Sequence, residues 1–489
     1  MQADNLKFGG GASETALNPL VAVAMVITIA LICVLRRKYV IAPLLAAAFL
    51  IPMDQVIVVG PFHFMMLRVL ILAGWIRLIW TKLSSKTEIF SGGMNGIDKA
   101  MILSTLIGGA DIVLLWGSSG ALINQLGNLY TVFGMYFLLR FLIRDEEDIE
   151  RAIRVFAYVA AVIAVVMMTE QATGRNPYSF LGGPREAVRQ QLMERDDRFR
   201  AMAAFAHPIL AGAFGAILLP IFIGLWSRGR KFRISALVGI FAATIITIAS
   251  VSSTPALTYL AGIGALCLWP LRKRMRLLRW GMVTTLVSLH LVMKAPVWAL
   301  IARVDVIGGS SGYHRYFLVD QFIRHFWDWW LLGVKSYAEW GWDSWDLANQ
   351  YVAVGEGSGL IPFIFFLAVI VYGFKYVGLA RKAVEGDKRK EFFFWALGAA
   401  LFSNVIAFFG ISYFDQTVVA WYAFLAMIST ATAPFLVSFA RPKDDAAIQS
   451  SPAGLFHTFP SMSRSRERGS PYGGERRLKA IDTAKERIG

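Results

Sequence analysis

The feature that most limits how this chain can fold is a repeated run of apolar residues. Each run is close to the roughly 20 residues that an α-helix needs to cross the hydrocarbon layer of a bilayer. Hydrophobic residues make up 56% of the 489 positions, and the mean hydropathy is +0.54. A transmembrane barrel would instead show segments of about 10 residues in which polar and apolar side chains alternate. The sequence therefore predicts an all-α polytopic membrane protein.

About 13 transmembrane helices are predicted from these runs. They lie near residues 19–35, 40–56, 62–80, 98–116, 121–143, 152–172, 204–226, 234–250, 255–270, 277–294, 356–377, 391–411 and 416–438. The predicted transmembrane domain is thus 19–440, and it follows an N-terminal segment at 1–18. Residues 441–489 are rich in Ser, Pro, Gly and Arg and lack apolar runs, which predicts a disordered basic tail.

The basic residues form groups along the chain, and two predicted spans separate each group from the next. The groups are 36–38, 77–86, 140–154, 228–233, 272–279, 375–390 and 441 onward. Because Lys and Arg accumulate in loops that remain in the cytoplasm, all the groups are predicted to be cytoplasmic, which puts the N-terminus outside and the C-terminus inside. This distribution explains the net charge of +16 without a nucleic-acid partner. Membrane lipid is instead the predicted partner of the spans and of the basic loops.

Two of the predicted outside loops are long, at 173–203 and 295–355. Connections of this length inside a compact protein are usually either functional or disordered. The second loop is crowded with Trp, Tyr and Phe, a composition that disordered segments lack. Both loops are therefore predicted to be extracytoplasmic, to carry the function, and to contain short helices at the membrane surface.

Residues 313–332 of the second loop have the length and pattern of an amphipathic helix. One stripe contains Arg315, Val319, Phe322, Phe326 and Trp329, and another contains Asp320, Arg324 and Asp328 at i,i+4 spacing, which favours ion pairs. In the functional interpretation, the basic residues of this helix bind a substrate. In the alternative, it is an interfacial helix whose basic residues meet only phospholipid headgroups.

The first loop ends in Asp196-Asp197-Arg198-Phe199-Arg200, which places Arg200 at the outer mouth of a predicted span. The guanidinium group is a fixed fork of donors that matches two phosphate oxygens. Arg200 and Arg315, one from each long loop, are therefore candidates to hold a diphosphate at the outer membrane surface. Alternatively, Arg198 and Arg200 pair with the two neighbouring aspartates.

Four further positions have both a functional and a structural interpretation. His207, which precedes Pro208, is either a catalytic imidazole or a helix cap. Glu356 is either a general base or a carboxylate favoured near a helix N-terminus. Arg68 and Asp111 lie inside predicted spans, where ionisable residues are functional candidates unless they reach the nearby surface. The chain has no nucleotide-binding loop, no HExxH and no Cys/His metal spacing, so neither a cofactor nor a metal is predicted.

Two motifs resemble those of the O-antigen ligase and Wzy-type polysaccharide polymerase superfamily of bacterial inner membranes. The first is Arg200-Ala-Met-Ala-Ala-Phe-Ala-His207-Pro208. The second is Gly312-Tyr-His-Arg315, then Trp329-Trp330-Leu-Leu-Gly333, then Gly355-Glu356-Gly-Ser-Gly359-Leu360. Ligases of this superfamily carry a His in the pair that stands ten residues before the last glycine. Here Ala348-Asn349 stands at that place, which favours a polymerase.

The resemblance implies a glycosyltransferase that uses an undecaprenyl-diphosphate-linked oligosaccharide at the periplasmic face of the inner membrane. Arg200 and Arg315 would bind the diphosphate and stabilise it as a leaving group, and the other catalytic candidates are His314, His325 and Glu356. The substrate-binding candidates are Arg198, Arg324, His207, Trp329, Trp330 and Asn349. A chain-length regulator or an export complex is the expected protein partner, and neither a metal nor a nucleotide sugar is expected.

Three other functions fit parts of this pattern. One is a ligase or another glycan transferase of the same superfamily. A second is a flippase or secondary transporter of lipid-linked oligosaccharide, which would carry charged residues near the middle of its spans. This chain instead places most of its charges in the predicted outside loops and few in the spans. The third is a scaffold of an export complex, which would leave the loop arginines without a role.

Overall fold

The computed structural model describes residues 15–440, except 54, 60–61, 85–88, 183–193, 196–197, 304–311, 337 and 342–347. The predicted tail at 441–489 and most of the predicted segment at 1–18 therefore lie outside the described residues. Parts of both predicted long loops also lie outside them, including Asp196 and Asp197.

The described part of the chain is built from α-helices. They are α1 Pro19–Val34, α2 Arg37–Leu50, α3 Met66–Ser84, α4 Gly96–Trp116, α5 Ser119–Leu142, α6 Glu146–Thr173, α7 Pro208–Ser227, α8 Arg233–Ala249, α9 Ser253–Cys267, α10 Met275–Val292, α11 Gly312–Arg324, α12 Phe326–Trp329, α13 Gln350–Ser358, α14 Leu360–Ala383, α15 Lys388–Ala407 and α16 Gln416–Ala440. Short 3-10 turns lie at Ser179–Leu181, Arg230–Phe232, Trp269–Arg274, Val297–Arg303 and Ala338–Trp340.

Seven of these helices are long and apolar enough to cross a membrane: α4, α6, α7, α8 with its preceding turn, α14, α15 and α16. The pair α9 and α10 meets the same requirement together, with a bend of 71° between its halves, which gives up to eight. The predicted class, an all-α multi-pass membrane protein, is thus confirmed among the described residues. A helix also lies at each of the other predicted segments, but the count of thirteen crossings stays a prediction.

Two short β-hairpins interrupt the helical pattern. Strand β1, Val56–Val59, pairs antiparallel with β2, Phe62–Met65, with Val56 opposite Met65. Strand β3, Glu194–Arg195, pairs with β4, Arg198–Phe199. The first hairpin connects the predicted segments 40–56 and 62–80 and takes up the first residues of the second, so that α3 begins at Met66 instead of residue 62. Alternating Val, Ile and Phe side chains favour strand over helix in this stretch.

The helix ends follow the local sequence. Asn95 forms a capping box with Asp98 at the start of α4, in which each side chain accepts a backbone N–H of the other residue. Gly117 and Gly174 end α4 and α6 with φ of 57° and 66°, a left-handed conformation that glycine adopts without a steric penalty. These local signals explain why both predicted boundaries of α4 and the predicted end of α6 were close to the observed ones; α6 begins at Glu146, earlier than the predicted residue 152.

Five of the basic groups in the described part of the chain lie together at one end of the helix bundle, namely 36–38, 140–154, 228–233, 272–279 and 375–390. The contacts that join them are Arg37 with Asp148 at 2.6 Å, Arg228 with Glu150 at 3.1 Å, Arg272 with Glu391 at 2.9 Å and Arg381 with Glu391 at 2.9 Å. Arg228 also lies over the ring of Phe393, 5.3 Å from its centre, which joins the α7–α8 connection to α15. We call this the basic end.

Several helices of the described part, among them α1 and α10, carry large apolar side chains on their outer surface. Leu20, Val26 and Val34 of α1 and Leu277 and Leu291 of α10 are exposed, and α10 has no buried residue at all. In contrast, α7 is buried over 83% of its membrane-compatible window. The protein is therefore built around α7, and its apolar outer surface suits contact with lipid.

The second long loop differs from its prediction in two places. The helix predicted over 313–332 is broken at His325, so that α11 ends at Arg324 and α12 covers only Phe326–Trp329. The span predicted to begin at residue 356 begins instead at Leu360, because Gly359 has a φ of 87° and separates α14 from the short helix α13.

Candidate functional site

The first long loop leads Arg200 into the helix bundle. Its side chain is only 5% exposed, and its Nη2 donates a hydrogen bond of 2.8 Å to the Ser252 hydroxyl in the connection between α8 and α9. Just after it, the Ala201 N–H donates to the Ala249 carbonyl at 3.0 Å. Arg200 is therefore held against the ends of α8 and α9. The side chain of Arg198 lies outside the described residues.

Glu170, near the C-terminal end of α6, fixes the backbone that follows Arg200. Its two carboxylate oxygens accept the N–H groups of Met202 and Ala203 at 2.7 and 2.8 Å, and the side chain is fully buried. Ala203 has a φ of 50°, which costs energy in a residue with a Cβ. A buried carboxylate with two charge-assisted hydrogen bonds offsets such a cost.

The second buried arginine of the loops is Arg315, in the first turn of α11, where it is 9% exposed. Helix α11 is seated on α13 through the ring of Phe322. A Cβ on Gly355 would lie 2.5 Å from that ring, so only glycine permits this approach. Phe322 also stacks on Trp329, with ring centres 4.1 Å apart and planes at 14°.

Two backbone hydrogen bonds join the segment after α12 to α13 and to the start of α14. The Val334 N–H donates to the Glu356 carbonyl at 2.8 Å, and the Leu360 N–H donates to the Trp330 carbonyl at 2.8 Å. Gly333 and Gly359, beside these bonds, have φ of 86° and 87°, where glycine is strongly preferred. The glycines of the second sequence motif therefore have a structural role, which is to hold the two segments together.

Glu356 lies on α13 between these contacts. Its side chain is 2% exposed, and its Oε2 has no hydrogen-bond partner among the described residues. Burial away from water raises the pKa of this carboxyl from 4.5 to about 8, because desolvation disfavours the charged form. At neutral pH this carboxyl group is therefore mostly protonated, and a minor fraction of it is ionised.

A single turn after α15 links the two loop regions. The Gln350 N–H, at the start of α13, donates to the Phe408 carbonyl at 2.8 Å. The Thr254 hydroxyl, two residues after the partner of Arg200, donates to the Gly410 carbonyl at 3.3 Å. Arg200 and α13 consequently lie at the same end of the bundle, at the ends of α6, α8 and α15 opposite to the basic end.

No model of a known protein family matches the sequence, and no curated protein is similar to it. The geometry of the site therefore carries the functional argument.

Two of the predicted site residues act as helix caps. The ring Nδ1 of His207 accepts the Ile209 N–H at 3.1 Å at the start of α7. The Oδ1 of Asn349 accepts the N–H groups of Tyr351 and Val352 at 3.0 and 3.2 Å, and its Nδ2 donates to the Phe409 carbonyl at 3.4 Å. These contacts favour the capping interpretation of His207 and give Asn349 a structural role at the start of α13.

The remaining candidates lie on α11 and α12. The predicted pair of Arg324 with Asp320 is confirmed at 2.6 Å, and this pairing raises the pKa of the mostly exposed Arg324. The second i,i+4 pair is wrong: Asp328 lies 2.8 Å from the Nδ1 of His325 instead, because the helix breaks at His325. That imidazole also stacks on Trp340 at 4.7 Å between ring centres.

Burial separates the other three candidates on α11 and α12. Trp329 is buried, and its indole N–H donates to the Phe322 carbonyl at 2.8 Å, so it stabilises the loop itself. His314 is half-buried, and Trp330 is exposed. Trp330 is therefore the one of the two tryptophans with a surface for a ligand.

Arg68 and Asp111 were the two ionisable residues predicted inside spans. The Arg68 side chain forms a hydrogen bond with the backbone. Its Nη1 donates to the His63 carbonyl of β2 at 2.7 Å, in the first turn of α3. Asp111 is buried near the C-terminal end of α4. Within the described part of the chain, no group of three or more His, Cys, Asp or Glu could hold a metal ion.

A cavity of about 240 Å³ lies beneath α13. Side chains of α4, α5, α13, α14 and α16 and of the turn after α15 line it, and none of the lining residues carries a charge. Gln350, Val354 and Ser358 face it from α13. Glu356 is not among the lining residues, because residues spaced by four lie on one face of a helix and position 356 lies on another.

Proposed function

We propose that this protein is a polysaccharide polymerase, which transfers a growing glycan from undecaprenyl diphosphate to a lipid-linked repeat unit. The observation that carries the proposal is the presence of two buried arginines, Arg200 and Arg315, in the connections at the non-basic end of the bundle. A guanidinium group is a fixed fork of donors that matches the oxygens of a diphosphate.

The rigid placement of Arg200 supports this role. Stabilising charge in a transition state requires donors that are fixed before the reaction begins. Arg200 is held by Ser252, and the backbone after it is held by Glu170. An arginine that served only to contact headgroups would not need a buried carboxylate to fix its loop.

In the proposed reaction, the acceptor hydroxyl attacks the anomeric carbon of the donor glycan. The new bond joins that oxygen to the anomeric carbon, and the bond from this carbon to the diphosphate oxygen breaks. Undecaprenyl diphosphate leaves with the electron pair, and the arginines stabilise its charge. Ionised Glu356 takes the hydroxyl proton, and a pKa of about 8 lies close to the value that suits a general base at neutral pH.

The arrangement of the membrane helices belongs to the same proposal. All thirteen predicted segments cross the inner membrane, the N-terminus is periplasmic and the C-terminus is cytoplasmic. The gathering of the basic groups at one end of the bundle supports this orientation, because basic loops remain in the cytoplasm. The arginine-bearing loops then face the periplasm. The expected protein partner is a chain-length regulator or an export complex.

The arginines test the proposal directly. We expect Arg200→Lys and Arg315→Lys each to abolish polymer formation while the protein still inserts at normal levels, because Lys keeps the charge and loses the fork of donors. Arg175→Lys is the matched control, since Arg175 is exposed in the first long loop and is not a candidate site residue. Wild-type yield and length of polymer in both Arg200→Lys and Arg315→Lys would refute the diphosphate clamp.

A flippase is the second candidate, and the presence of a cavity with polar lining residues inside the bundle is the observation that favours it. The two functions leave different glycolipids in cells without this protein. Loss of a polymerase leaves a single-repeat lipid-linked oligosaccharide on the outer leaflet, whereas loss of a flippase leaves it on the inner leaflet. A ligase would instead leave a complete polymer on its lipid carrier.

A further inference from the structure

The cavity beneath α13 is lined by two hydrogen-bond donors for which no described residue is an acceptor. Trp421 and Tyr422, consecutive residues of α16, are 5% and 7% exposed, and both line the cavity. Among the described residues, neither the Trp421 indole N–H nor the Tyr422 hydroxyl has a hydrogen-bond partner, although both residues pack against other rings. Donors that face a cavity and meet no acceptor in the protein are available to a ligand or to water.

The opposite walls add amides and hydroxyls. Gln125 and Asn128 line the cavity from α5, and Ser104 and Thr105 line it from α4. The Oε1 of Gln350 accepts the Tyr413 N–H at 2.6 Å, which leaves the Nε2 of Gln350 as a donor on the cavity wall. This set of groups can both donate and accept hydrogen bonds without supplying charge.

The chemistry of the lining restricts the ligand. No Asp, Glu, Lys or Arg lines the cavity, so a phosphate or another charged group has no counter-ion there. Aromatic rings of Phe366, Phe408 and Tyr413 are interleaved with the polar groups, and rings beside amides suit a molecule with apolar faces and hydroxyl edges. The volume of about 240 Å³ is below the roughly 300–1,000 Å³ of pockets for drug-sized ligands.

We propose that this cavity is a binding site for one neutral sugar ring. The hydroxyl groups of the ring accept hydrogen bonds from Trp421, Tyr422 and Gln350, and its apolar face lies against the aromatic wall. The choice of a sugar over other neutral polyols rests on the proposed function, because the glycan of a lipid-linked oligosaccharide is the neutral part of that substrate. The site lies on the face of α13 opposite to Glu356, so it holds a sugar that is not at the reacting bond.

Gly109 of α4 provides a way to fill the cavity without disturbing its walls. A Cβ at this position would meet only the Gln125 side chain, at 3.9 Å, so a larger side chain extends into the cavity space. Gly264 of α9 is a matched control, because a Cβ there meets nothing within 4 Å and Gly264 does not line the cavity. Gly109→Leu and Gly264→Leu are therefore the same substitution, and only Gly109→Leu fills the cavity.

The experiment measures sugar binding to the full-length protein in lipid nanodiscs by saturation-transfer NMR. The probes are glucose, galactose and N-acetylglucosamine, with inorganic pyrophosphate as the charged comparison. We expect at least one sugar to receive saturation from the wild-type protein and from Gly264→Leu, and none from Gly109→Leu. Tyr422→Phe removes a single hydroxyl, and we expect sugar binding about fivefold weaker, in line with about 1 kcal/mol for one hydrogen bond.

Tyr158→Phe is the control for Tyr422→Phe, because Tyr158 is exposed on α6. Equal saturation in wild type and Gly109→Leu would overturn the proposal, and so would the absence of saturation with all three sugars in the wild-type protein. This measurement does not depend on polymer formation. If the wild-type protein binds sugar but the Arg200→Lys and Arg315→Lys variants remain fully active, the diphosphate clamp alone is refuted. If the wild-type protein binds no sugar but the two arginine variants are inactive, the sugar site alone is refuted.

Discussion

Replacing Glu356 with Gln tests the most strongly perturbed group of the site. The side chain is buried, and its Oε2 has no partner among the described residues. Gln has nearly the same shape as a protonated Glu but cannot ionise. We therefore expect Glu356→Gln to remove a dependence of stability on pH that the wild-type protein shows.

The magnitude follows from the pKa. Burial raises the pKa of Glu356 from 4.5 to about 8, and each pH unit between these values corresponds to about 1.4 kcal/mol. Above pH 4.5 the unfolded chain loses this proton while the folded protein keeps it, so the free energy of unfolding falls as the pH rises. The fall continues until about pH 8 and amounts to about 5 kcal/mol.

The assay is thermal unfolding of the purified protein in detergent, followed by tryptophan fluorescence between pH 4.5 and pH 9. We expect the melting temperature of Glu356→Gln minus that of the wild type to rise steadily with pH and to become constant above about pH 8. Glu339→Gln is the control, because Glu339 is exposed in the same loop. Its difference from the wild type should stay constant over this range.

A difference between Glu356→Gln and wild type that does not change with pH would refute the reasoning. It would mean that Glu356 ionises in the folded protein as easily as in the unfolded chain. The same series tests the role of this residue in catalysis. If Glu356 is the base, polymer formation by the wild type falls about tenfold for each pH unit below its pKa, and Glu356→Gln forms no polymer at any pH.

Three further predictions concern the loop, the core and the topology. Glu170→Gln replaces one acceptor of the Met202 and Ala203 N–H groups with a donor; we expect a loss of about 1.5–3 kcal/mol in unfolding free energy and reduced polymer formation at normal insertion, and unchanged melting with full activity would contradict this. Asp98→Asn breaks a fully buried bidentate pair with Arg140; denaturant unfolding should show a loss of about 3–5 kcal/mol, and a loss as small as that of an exposed pair would argue against it. In a background without the two native cysteines, a Cys at position 339 should react with an impermeant thiol reagent from outside and a Cys at position 230 should not; labelling of position 230 from outside would reverse the topology.

Local patterns in the sequence correctly predicted several features of the structure. Hydropathy over about 20 residues identified the helices, and the spacing of basic groups predicted that they share one end, as the contacts of Arg37, Arg228 and Arg272 show. The i,i+4 pair of Asp320 and Arg324 was also correct. Each of these features depends on residues that are close along the chain or on a simple alternation of sides.

The sequence was less informative where distant segments meet. Glu170 lies near the end of the apolar run at 152–172 and was not predicted as a site residue, yet it holds the backbone after Arg200 more than 30 residues later. A signal was present in principle, because a carboxylate close to the end of an apolar run needs a partner. Only the packing of α6 against the loop identified that partner.

By itself, the sequence determined the class of protein, the location of its helices and the separation of basic from non-basic ends. These follow from the cost of placing charge and unpaired backbone in hydrocarbon, which every membrane helix must meet locally. The tertiary structure decided which groups are withdrawn from water, namely the burial of Arg200, Arg315 and Glu356 and the unused donors of Trp421 and Tyr422. Burial depends on how helices far apart in the sequence pack together, and no local pattern encodes it.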